Sequence, residues 1–405
     1  MDWPETAGIA GLGIHAASAS RGQIVGDIAL DALAAWTDNQ HTSRSPGRFP
    51  FGAVLDHYHA VGRHFAATTV VGALTEILGS VAQTPETRRF TMWLRSATDQ
   101  AGGDYSGYSG LTLLDDFIAT AGADRRGETA DALALAALTD LLHTEIEALT
   151  AAPVHRQYQR TRAAALALCR AADLAPLGRI DATGLQDLRA LLRADSSDPI
   201  PALIRGAARL ADGADPADQA RDLLRLTMMP VTILHDEVMF IRLIQVFEMQ
   251  YMRCLWALEA ATEALQARDA GTALRELTAV SARLAAQPAL FHVLTTMPRS
   301  AFAVIRKYTQ GRSAVQSRSY REMESTAAPA LWKVFLEYGE YSDSTERAAL
   351  GTALRTVDRG WRAMKKTHWG ITLKIIGEVP GTGGTSGASY LRLRADEPLF
   401  PAAGA

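Results

Sequence analysis

Apolar residues recur at steps of three and four along most of this chain of 405 residues, and that spacing constrains the fold more than any other feature. Such steps place side chains on one face of an α-helix, whereas β-strands require an alternation of apolar and polar residues, which is rare here. Alanine, leucine and arginine, which favour helices, dominate the sequence. The pattern predicts an all-α fold, with helices that include 51–82, 232–268 and 344–376.

An Asp/Ser/Pro-rich stretch around residues 194–216 interrupts the helical pattern. Residues of these types favour turns and loops over helices. The stretch predicts a boundary between a helical N-terminal region, residues 1–200, and a second helical domain, residues 201–395. The remaining residues, 396–405, are expected to form a flexible tail.

The charge and the cysteine content exclude several classes of protein. A net charge of −3 provides no basic surface of the kind that binds nucleic acid. Only Cys169 and Cys254 are present, which excludes a disulfide scaffold, a CxxC metal site and a CxxCH haem attachment. The N-terminus is acidic where a signal peptide is basic, and no apolar run could span a bilayer. We expect a soluble cytoplasmic protein without nucleic-acid or membrane partners, and we leave a homo-oligomeric state open.

One histidine lies among apolar residues on a helix near the C-terminal end of the chain. The face that it shares consists of residues at steps of three and four: Trp361, Met364, His368, Ile371 and Ile375. This face points away from solvent, and Gly377 is a typical residue for the end of the helix. A haem iron requires an imidazole presented from a rigid, dry element. A histidine in an ordinary helical core is the alternative.

A glycine-rich segment, Gly381-Thr382-Gly383-Gly384, follows this helix. Gly383 and Gly384 can adopt positive φ and let the backbone approach a ligand closely, and Thr382 adds a hydroxyl group. Such a segment could also hold a phosphate, but no Lys-Ser/Thr pair follows it as in a P-loop. A simple turn is the alternative.

Two further helices carry side chains suited to a binding pocket. Phe240, Ile244, Phe247 and Tyr251 share one helical face, which could also be an ordinary core stripe.

Phe302 and Arg306, four residues apart, share the face of another helix. A guanidinium in an apolar pocket is suited to a carboxylate, because its planar fork contacts both oxygens. A surface salt bridge is the alternative for this arginine.

Three segments resemble sequences of the tryptophan 2,3-dioxygenase and indoleamine 2,3-dioxygenase superfamily, in the order found there. The segment HDEVMFIRLIQVFE resembles HDE-x-x-FI-x-x-HQ of the tryptophan dioxygenases. AFAVIRKYTQG and GRSAVQS resemble FF-x-x-LR-x-Y-x-x-G and GGSAGQS of the indoleamine dioxygenases. His368, followed by IIG, GTGG and SGASYLR, resembles the haem-ligand helix and its substrate loop. The resemblance covers about residues 230–395.

The resemblance implies a cofactor, a cosubstrate and a set of site residues. His368 would bind the iron of haem b, O2 would be the cosubstrate, and Arg306 would bind the carboxylate of an aromatic amino acid. Phe240, Ile244 and Phe302 would line the substrate pocket. The loops would contribute the other contacts with substrate and haem, through Ser313, Ala314, Gly381, Thr382 and Gly383. Thr382 would lie near the substrate amino group and the haem propionates.

Ile244 departs from the tryptophan dioxygenase pattern, which has a histidine that hydrogen-bonds the indole N–H at this position. Isoleucine can neither donate nor accept a hydrogen bond. Indoleamine dioxygenases also lack a histidine there, so its loss does not exclude dioxygenation. We expect a haem-dependent oxygenase of tryptophan or a tryptophan derivative in specialised metabolism, with no certain acid or base catalyst.

Other interpretations stay open at this point. The same haem chemistry could hydroxylate another aromatic amino acid, such as tyrosine, and a non-catalytic helical binding protein could have kept the fold. The region 1–200 could cap the distal pocket of the haem-binding domain. His57, His59 and His64 lack the acidic partner and the spacing of a metal site. Arg321 is expected to be structural rather than a second carboxylate anchor.

Overall fold

The computed structural model describes residues 13–39, 48–103, 105–175, 182–193, 199–213, 218–309, 317–340, 342–377 and 387–400. Within these ranges the regular structure is helical throughout and contains no strand, which confirms the all-α prediction. None of the described helices is both long and apolar enough to cross a membrane.

The described α-helices are α1 (Gly13–Asn39), α2 (Phe51–Val61), α3 (Thr68–Ser80), α4 (Arg88–Thr98), α5 (Leu111–Thr120), α6 (Arg126–Ala151), α7 (His155–Ala172), α8 (Ala182–Arg193), α9 (Pro199–Gly213), α10 (Asp218–Leu226), α11 (His235–Gln266), α12 (Ala270–Leu294), α13 (Arg299–Tyr308), α14 (Arg318–Glu322), α15 (Ala328–Tyr338), α16 (Ser344–Ile375) and α17 (Ala388–Ala395). Short 3₁₀ turns occupy Arg63–Phe65 and Asp99–Gly102, and a π-helical segment, Met323–Ala327, joins α14 to α15.

Helix α11 lies at the centre of the molecule, where it packs against α6, α12, α13, α14 and α15. Asp236 and Glu237 lie in its first turn, where the positive end of the helix dipole favours negative charge. Glu237 also accepts hydrogen bonds from the backbone N–H groups of Val231 and Thr232, both at 2.8 Å. The chain that enters α11 is therefore fixed by a buried carboxylate of the helix itself.

Helices α12 and α16 pack extensively against each other and run parallel. A Cβ built on Gly360 of α16 would lie 3.3 Å from Leu284 Cβ of α12. Further along both helices, the rings of Phe291 and His368 stack with their centroids 5.7 Å apart. Since the residue numbers rise together in the two contacts, the helices point in the same direction.

The N-terminal helices reach the centre of the molecule through two hydrogen-bonded contacts. In the 3₁₀ turn Arg63–Phe65, the first two N–H groups donate to the carbonyls of Pro230 and Val231, at 2.8 and 3.2 Å. The Gln245 side chain of α11 donates from Nε2 to the Ser109 carbonyl at 2.9 Å, in the segment before α5. The N-terminal region is thus hydrogen-bonded near the beginning and at the middle of α11.

The single helix predicted over 51–82 is wrong, because the structure has α2, a 3₁₀ turn and α3 in this range. Gly62 follows α2 with φ 80° and ψ 135°, a conformation that side-chain-bearing residues rarely adopt. Both helices bury one apolar face in the same core. Their apolar spacing therefore continues across the break and conceals it.

The flexible tail predicted over 396–405 is also wrong where the structure describes it, up to residue 400. Leu399 and Phe400 are buried, and the Leu399 N–H donates to Asp358 Oδ1 at 2.6 Å. Burial of these two large apolar side chains against the helical core holds the chain in place. Residues 401–405 lie outside the described residues.

Replacement of Gly62 by alanine should weaken the docking of the N-terminal region. A Cβ at this position would lie 2.7 Å from both Val231 O and Thr232 Cα. The φ of Gly62 is also positive, a conformation that alanine rarely adopts. We expect the free energy of unfolding, measured by urea denaturation, to fall by roughly 2 kcal/mol or more.

Gly72→Ala is the matched control. Gly72 is an exposed residue inside α3, and a Cβ there would meet no heavy atom within 4 Å. This variant should be more stable by up to about 1 kcal/mol, because alanine favours helices over glycine. A Gly62→Ala protein as stable as the Gly72→Ala protein would contradict the docking geometry.

Candidate functional site

The middle of α11 is buried on every side but one. Between residues 239 and 251, all side chains are buried except those of Phe240, Ile244 and Phe247, which are half-buried. These three lie at steps of four and three, so they form one stripe along the helix. Because α11 packs against five other helices, we infer that this partly accessible apolar stripe faces an internal space rather than the outer surface.

His368 occupies the centre of the buried face of α16. Met364 and Lys365, one turn before it, are buried, as are Ile371 and Thr372, one turn after it. The imidazole itself is nevertheless accessible in the protein chain. Surrounding protein atoms disfavour its charged form and lower the pKa of His368 to about 4. We infer from its accessibility and from this lowered pKa that the ring borders an internal space.

Phe291 of α12 connects the histidine to the stripe on α11. Its ring lies 5.7 Å from the His368 ring, in a stacked arrangement, and 4.5 Å from the Phe247 ring, between centroids. The imidazole and the apolar stripe therefore border one internal space. No sequence motif indicates Phe291, because its contacts depend on the packing of α12 against α11 and α16.

Helix α13 contributes a further wall. The rings of Phe302 and Phe240 meet edge to face, with their centroids 5.6 Å apart. Phe302 is buried, and Arg306, one turn later on α13, is half-buried. The structure thus brings Phe240 and Phe302 into contact, and Phe291 connects His368 to the stripe that contains Ile244. Arg306 lies one turn after Phe302, and its place in the site stays a prediction. The other predicted site residues lie outside the described residues: Ser313, Ala314, Gly381, Thr382 and Gly383.

The end of the histidine helix confirms the prediction made for Gly377. Helix α16 ends at Ile375, and Gly377 follows with φ 82°. Its N–H donates to the carbonyls of Thr372 and Leu373, at 3.2 and 3.1 Å. This pattern is typical of a glycine that terminates a helix.

The N-terminal histidines bind separate partners. His57 Nε2 accepts from the Ala67 N–H at 3.0 Å, and His59 Nε2 lies 2.8 Å from the Met228 carbonyl. His64 Nδ1 lies 2.5 Å from the Tyr105 hydroxyl. Among the residues that the structure describes, no group of three or more His, Cys, Asp or Glu side chains could hold a metal ion.

The residues around the internal space fit a haem group. A haem iron is ligated by a neutral imidazole, and a pKa of about 4 keeps His368 neutral at ordinary pH. No hydrogen bond to the His368 ring is formed by the described residues. The opposite wall is apolar and aromatic, which suits a largely hydrophobic macrocycle. His368 would bind the iron, and the stripe on α11 would cover the opposite face.

The chain is similar in sequence to several known enzymes. The chain is 25% identical to a tryptophan 2,3-dioxygenase of Herpetosiphon aurantiacus over 224 residues, which cover 41% of this chain and 86% of the relative. It is 26% identical to that of Anaeromyxobacter dehalogenans over 239 residues, with 45% and 90% covered. It is 27% identical to that of a Nocardioides species over 223 residues, with 41% and 82% covered. No family model matches the chain, and no solved structure matches it.

A helical fold that presents a neutral imidazole near an apolar stripe has the arrangement that a histidine-ligated haem enzyme requires. Over 41–45% of its length the chain is similar to tryptophan 2,3-dioxygenases, which supports its resemblance to the tryptophan 2,3-dioxygenase and indoleamine 2,3-dioxygenase superfamily.

The lowered pKa of His368 predicts a contribution to acid sensitivity in the haem-free protein. Its pKa is about 4 in the folded chain and about 6.5 in an unfolded one, so the unfolded state binds its proton first as the pH falls. This histidine therefore removes stability as the pH falls from 6.5 towards 4. We expect the His368→Phe protein to lose less stability than the wild type between pH 7 and pH 4 in urea titrations.

His292→Phe is the control, because His292 is an exposed histidine of α12. The control should show the pH dependence of the wild type. Identical pH dependence in the His368→Phe protein would mean that the ring is not enclosed.

Proposed function

We propose that this protein is a haem b-dependent oxygenase that uses O2 to oxidise tryptophan or a tryptophan derivative. The observation that carries the proposal is the accessible His368 ring at the centre of a buried helical face, opposite the apolar stripe of α11. The names of the relatives, all tryptophan 2,3-dioxygenases, support the same chemistry. The bound haem would supply the site that binds and activates O2.

The side chains around the internal space would bind and orient the substrate. Arg306 would hold the substrate carboxylate in a bidentate pair, and Thr382 would lie near the amino group. Phe240 and Phe302, whose rings are in contact, would enclose the aromatic ring and exclude water. Ser313, Ala314, Gly381 and Gly383 would complete the cradle for haem and substrate.

The stripe on α11 offers no group that could move a proton. Its accessible side chains, Phe240, Ile244 and Phe247, lack ionisable groups. The protein would therefore act mainly by holding the electron-rich ring and the oxygen in reactive proximity, a contribution that can be large without acid or base catalysis.

The region 1–200 is proposed to cap the distal side of the haem-binding domain, 201–395. The hydrogen bonds of the 3₁₀ turn Arg63–Phe65 with the chain before α11, and of Ser109 with Gln245, support this proposal. The cap would limit the access of water and select the substrate. We propose that the enzyme acts in the cytoplasm, in specialised metabolism.

Hydroxylation of another aromatic amino acid, such as tyrosine, is the second candidate. Ile244 favours it, because a site without a hydrogen-bonding group at this position has no specific interaction with an indole N–H. A non-catalytic helical binding protein is the alternative of another class, and it would bind no haem.

Replacement of His368 by alanine should abolish the axial ligation of the iron. Wild-type protein reconstituted with haem should show a Soret band of a histidine-ligated haem, and the variant should bind haem weakly with a shifted band. Haem content and spectrum that are unchanged in His368→Ala would contradict the assignment of the ligand.

Replacement of Arg306 by alanine should raise KM for the amino-acid substrate by 10- to 100-fold. A charge-assisted hydrogen-bonded pair contributes roughly 1.5–3 kcal/mol, which corresponds to this range. The control is an amide of the same substrate, which lacks the carboxylate charge and should discriminate less between wild type and variant. Equal KM values of both proteins for the free amino acid would contradict the assignment.

A further inference from the structure

Helix α1 presents an exposed face that combines apolar and acidic side chains. Ile24 and Ile28 are 61% and 55% exposed, which is unusual for isoleucine. Asp27 and Asp31 are also exposed and lie on the same face, at steps of three and four residues. The helix has no basic residue over 22–39, so this face is negatively charged. An exposed face with two large apolar side chains is typical of a surface that binds another protein.

A surface groove with small side chains along its floor lies between α12 and the first half of α16. The groove has a volume of about 540 Å³, and each residue that lines it is alanine, serine or threonine. The hydroxyl groups of Thr278, Ser281 and Thr352 donate to carbonyl groups of their own helices, at 2.7, 3.0 and 2.8 Å. Since these donors are satisfied, the floor can be covered by apolar side chains without loss of a hydrogen bond.

Two arginines of α16 lie along one edge of this groove. The Arg355 guanidinium donates to Thr352 Oγ1 at 3.0 Å, and the Arg359 guanidinium donates to Thr356 Oγ1 at 3.5 Å. Both threonines line the groove. Both arginines are exposed, and neither forms an ion pair with a residue that the structure describes. The edge of the groove therefore carries two positive charges that can pair with carboxylates of a partner.

The face of α1 and the groove match each other, and neither matches itself. Asp27 and Asp31 are four residues apart, as are Arg355 and Arg359, so both pairs are spaced by about 6 Å along their helices. Contact between two α1 faces would oppose aspartates, and contact between two grooves would oppose arginines. Large side chains on one helix also pack well into a groove between small ones. The complementary pairing is α1 with the groove.

We propose that the groove binds α1 of a second copy of this chain. The two isoleucines of that helix cover the small residues of the floor, which removes apolar surface from water. The aspartates of the same helix, Asp27 and Asp31, form ion pairs with Arg355 and Arg359 at the edge. Two such contacts, one in each direction, close a dimer with twofold symmetry. This inference is independent of the proposed haem function.

Sedimentation velocity of the purified full chain at micromolar concentrations tests the proposal. The wild type should sediment as a dimer that dissociates progressively as the salt concentration rises, because salt screens charges at the edge of an interface. Two charge-reversed proteins, Asp27→Arg/Asp31→Arg and Arg355→Asp/Arg359→Asp, should each have a dissociation constant roughly 100-fold higher. In both of them, like charges would face each other in each contact of the dimer.

An equimolar mixture of the two charge-reversed proteins should form a dimer again. In this mixed dimer, one contact has arginines on α1 and aspartates in the groove, and the other contact has the original residues on both sides.

Asp56→Arg/Glu76→Arg is the matched control. It reverses two exposed acidic residues of α2 and α3 and changes the net charge as much as the reversal on α1 does. The control should remain a dimer. All of the substituted side chains are exposed, so circular dichroism should show the helix content of the wild type in every variant.

The outcomes separate this interface from other modes of association. A wild-type protein that is monomeric at every concentration, or a complex that salt does not weaken, overturns the proposal. Charge-reversed proteins that associate like the wild type also overturn it, because the contact then lies on another surface. A mixture that stays monomeric shows that α1 and the groove bind other partners. Association that is lost in each reversed protein and recovered only in their mixture supports the proposal.

Discussion

The buried polar side chains of α11 are the interactions on which the rest of the structure depends. A polar group buried without a partner is costly, so each one specifies its neighbour. The pairs are Arg242 with Asp140 at 2.7 Å, Gln245 with the Ser109 carbonyl at 2.9 Å, and Glu248 with the backbone and hydroxyl of Ser319 at 3.1 and 2.7 Å. They attach α6, the segment before α5 and α14 to one helix. The remaining side of α11 is the apolar stripe, which borders the internal space.

The functional consequence is a site whose two faces differ chemically. The α16 side carries the imidazole of His368. The α11 side carries hydrocarbon and aromatic groups alone among its accessible residues in the middle of the helix. Ile244 lies on this second face. In the proposed function, binding of the haem iron and selection of the substrate would therefore depend on different faces, and the second could change without loss of the first.

The sequence predicted the parts of this account that depend on local spacing. The face of α16, its end at Gly377 and the pairing of Phe302 with Arg306 on one helix all follow from a period of 3.6 residues. The accessibility of His368 could not be predicted, because it depends on α11 and α12, which are distant in sequence. Phe291 was missed for the same reason.

Two predictions failed because long-range packing is not visible in the local sequence. Apolar spacing continues across Gly62, and the last segment was expected to be flexible from its position in the chain, yet Leu399 and Phe400 are buried. Burial in a shared core therefore does not distinguish one long helix from two short ones, nor a packed segment from a free end. Backbone conformation at a single glycine and a hydrogen bond to Asp358 decide these cases.

The position of the iron tests the central claim most directly. Crystals of the haem-loaded protein, measured at the iron absorption edge, would give an anomalous peak at the metal. The account predicts this peak within bonding distance of a His368 ring nitrogen, with the stripe Phe240, Ile244 and Phe247 across the haem. An iron peak elsewhere in the molecule, or a haem whose iron is bound by another residue, would contradict it.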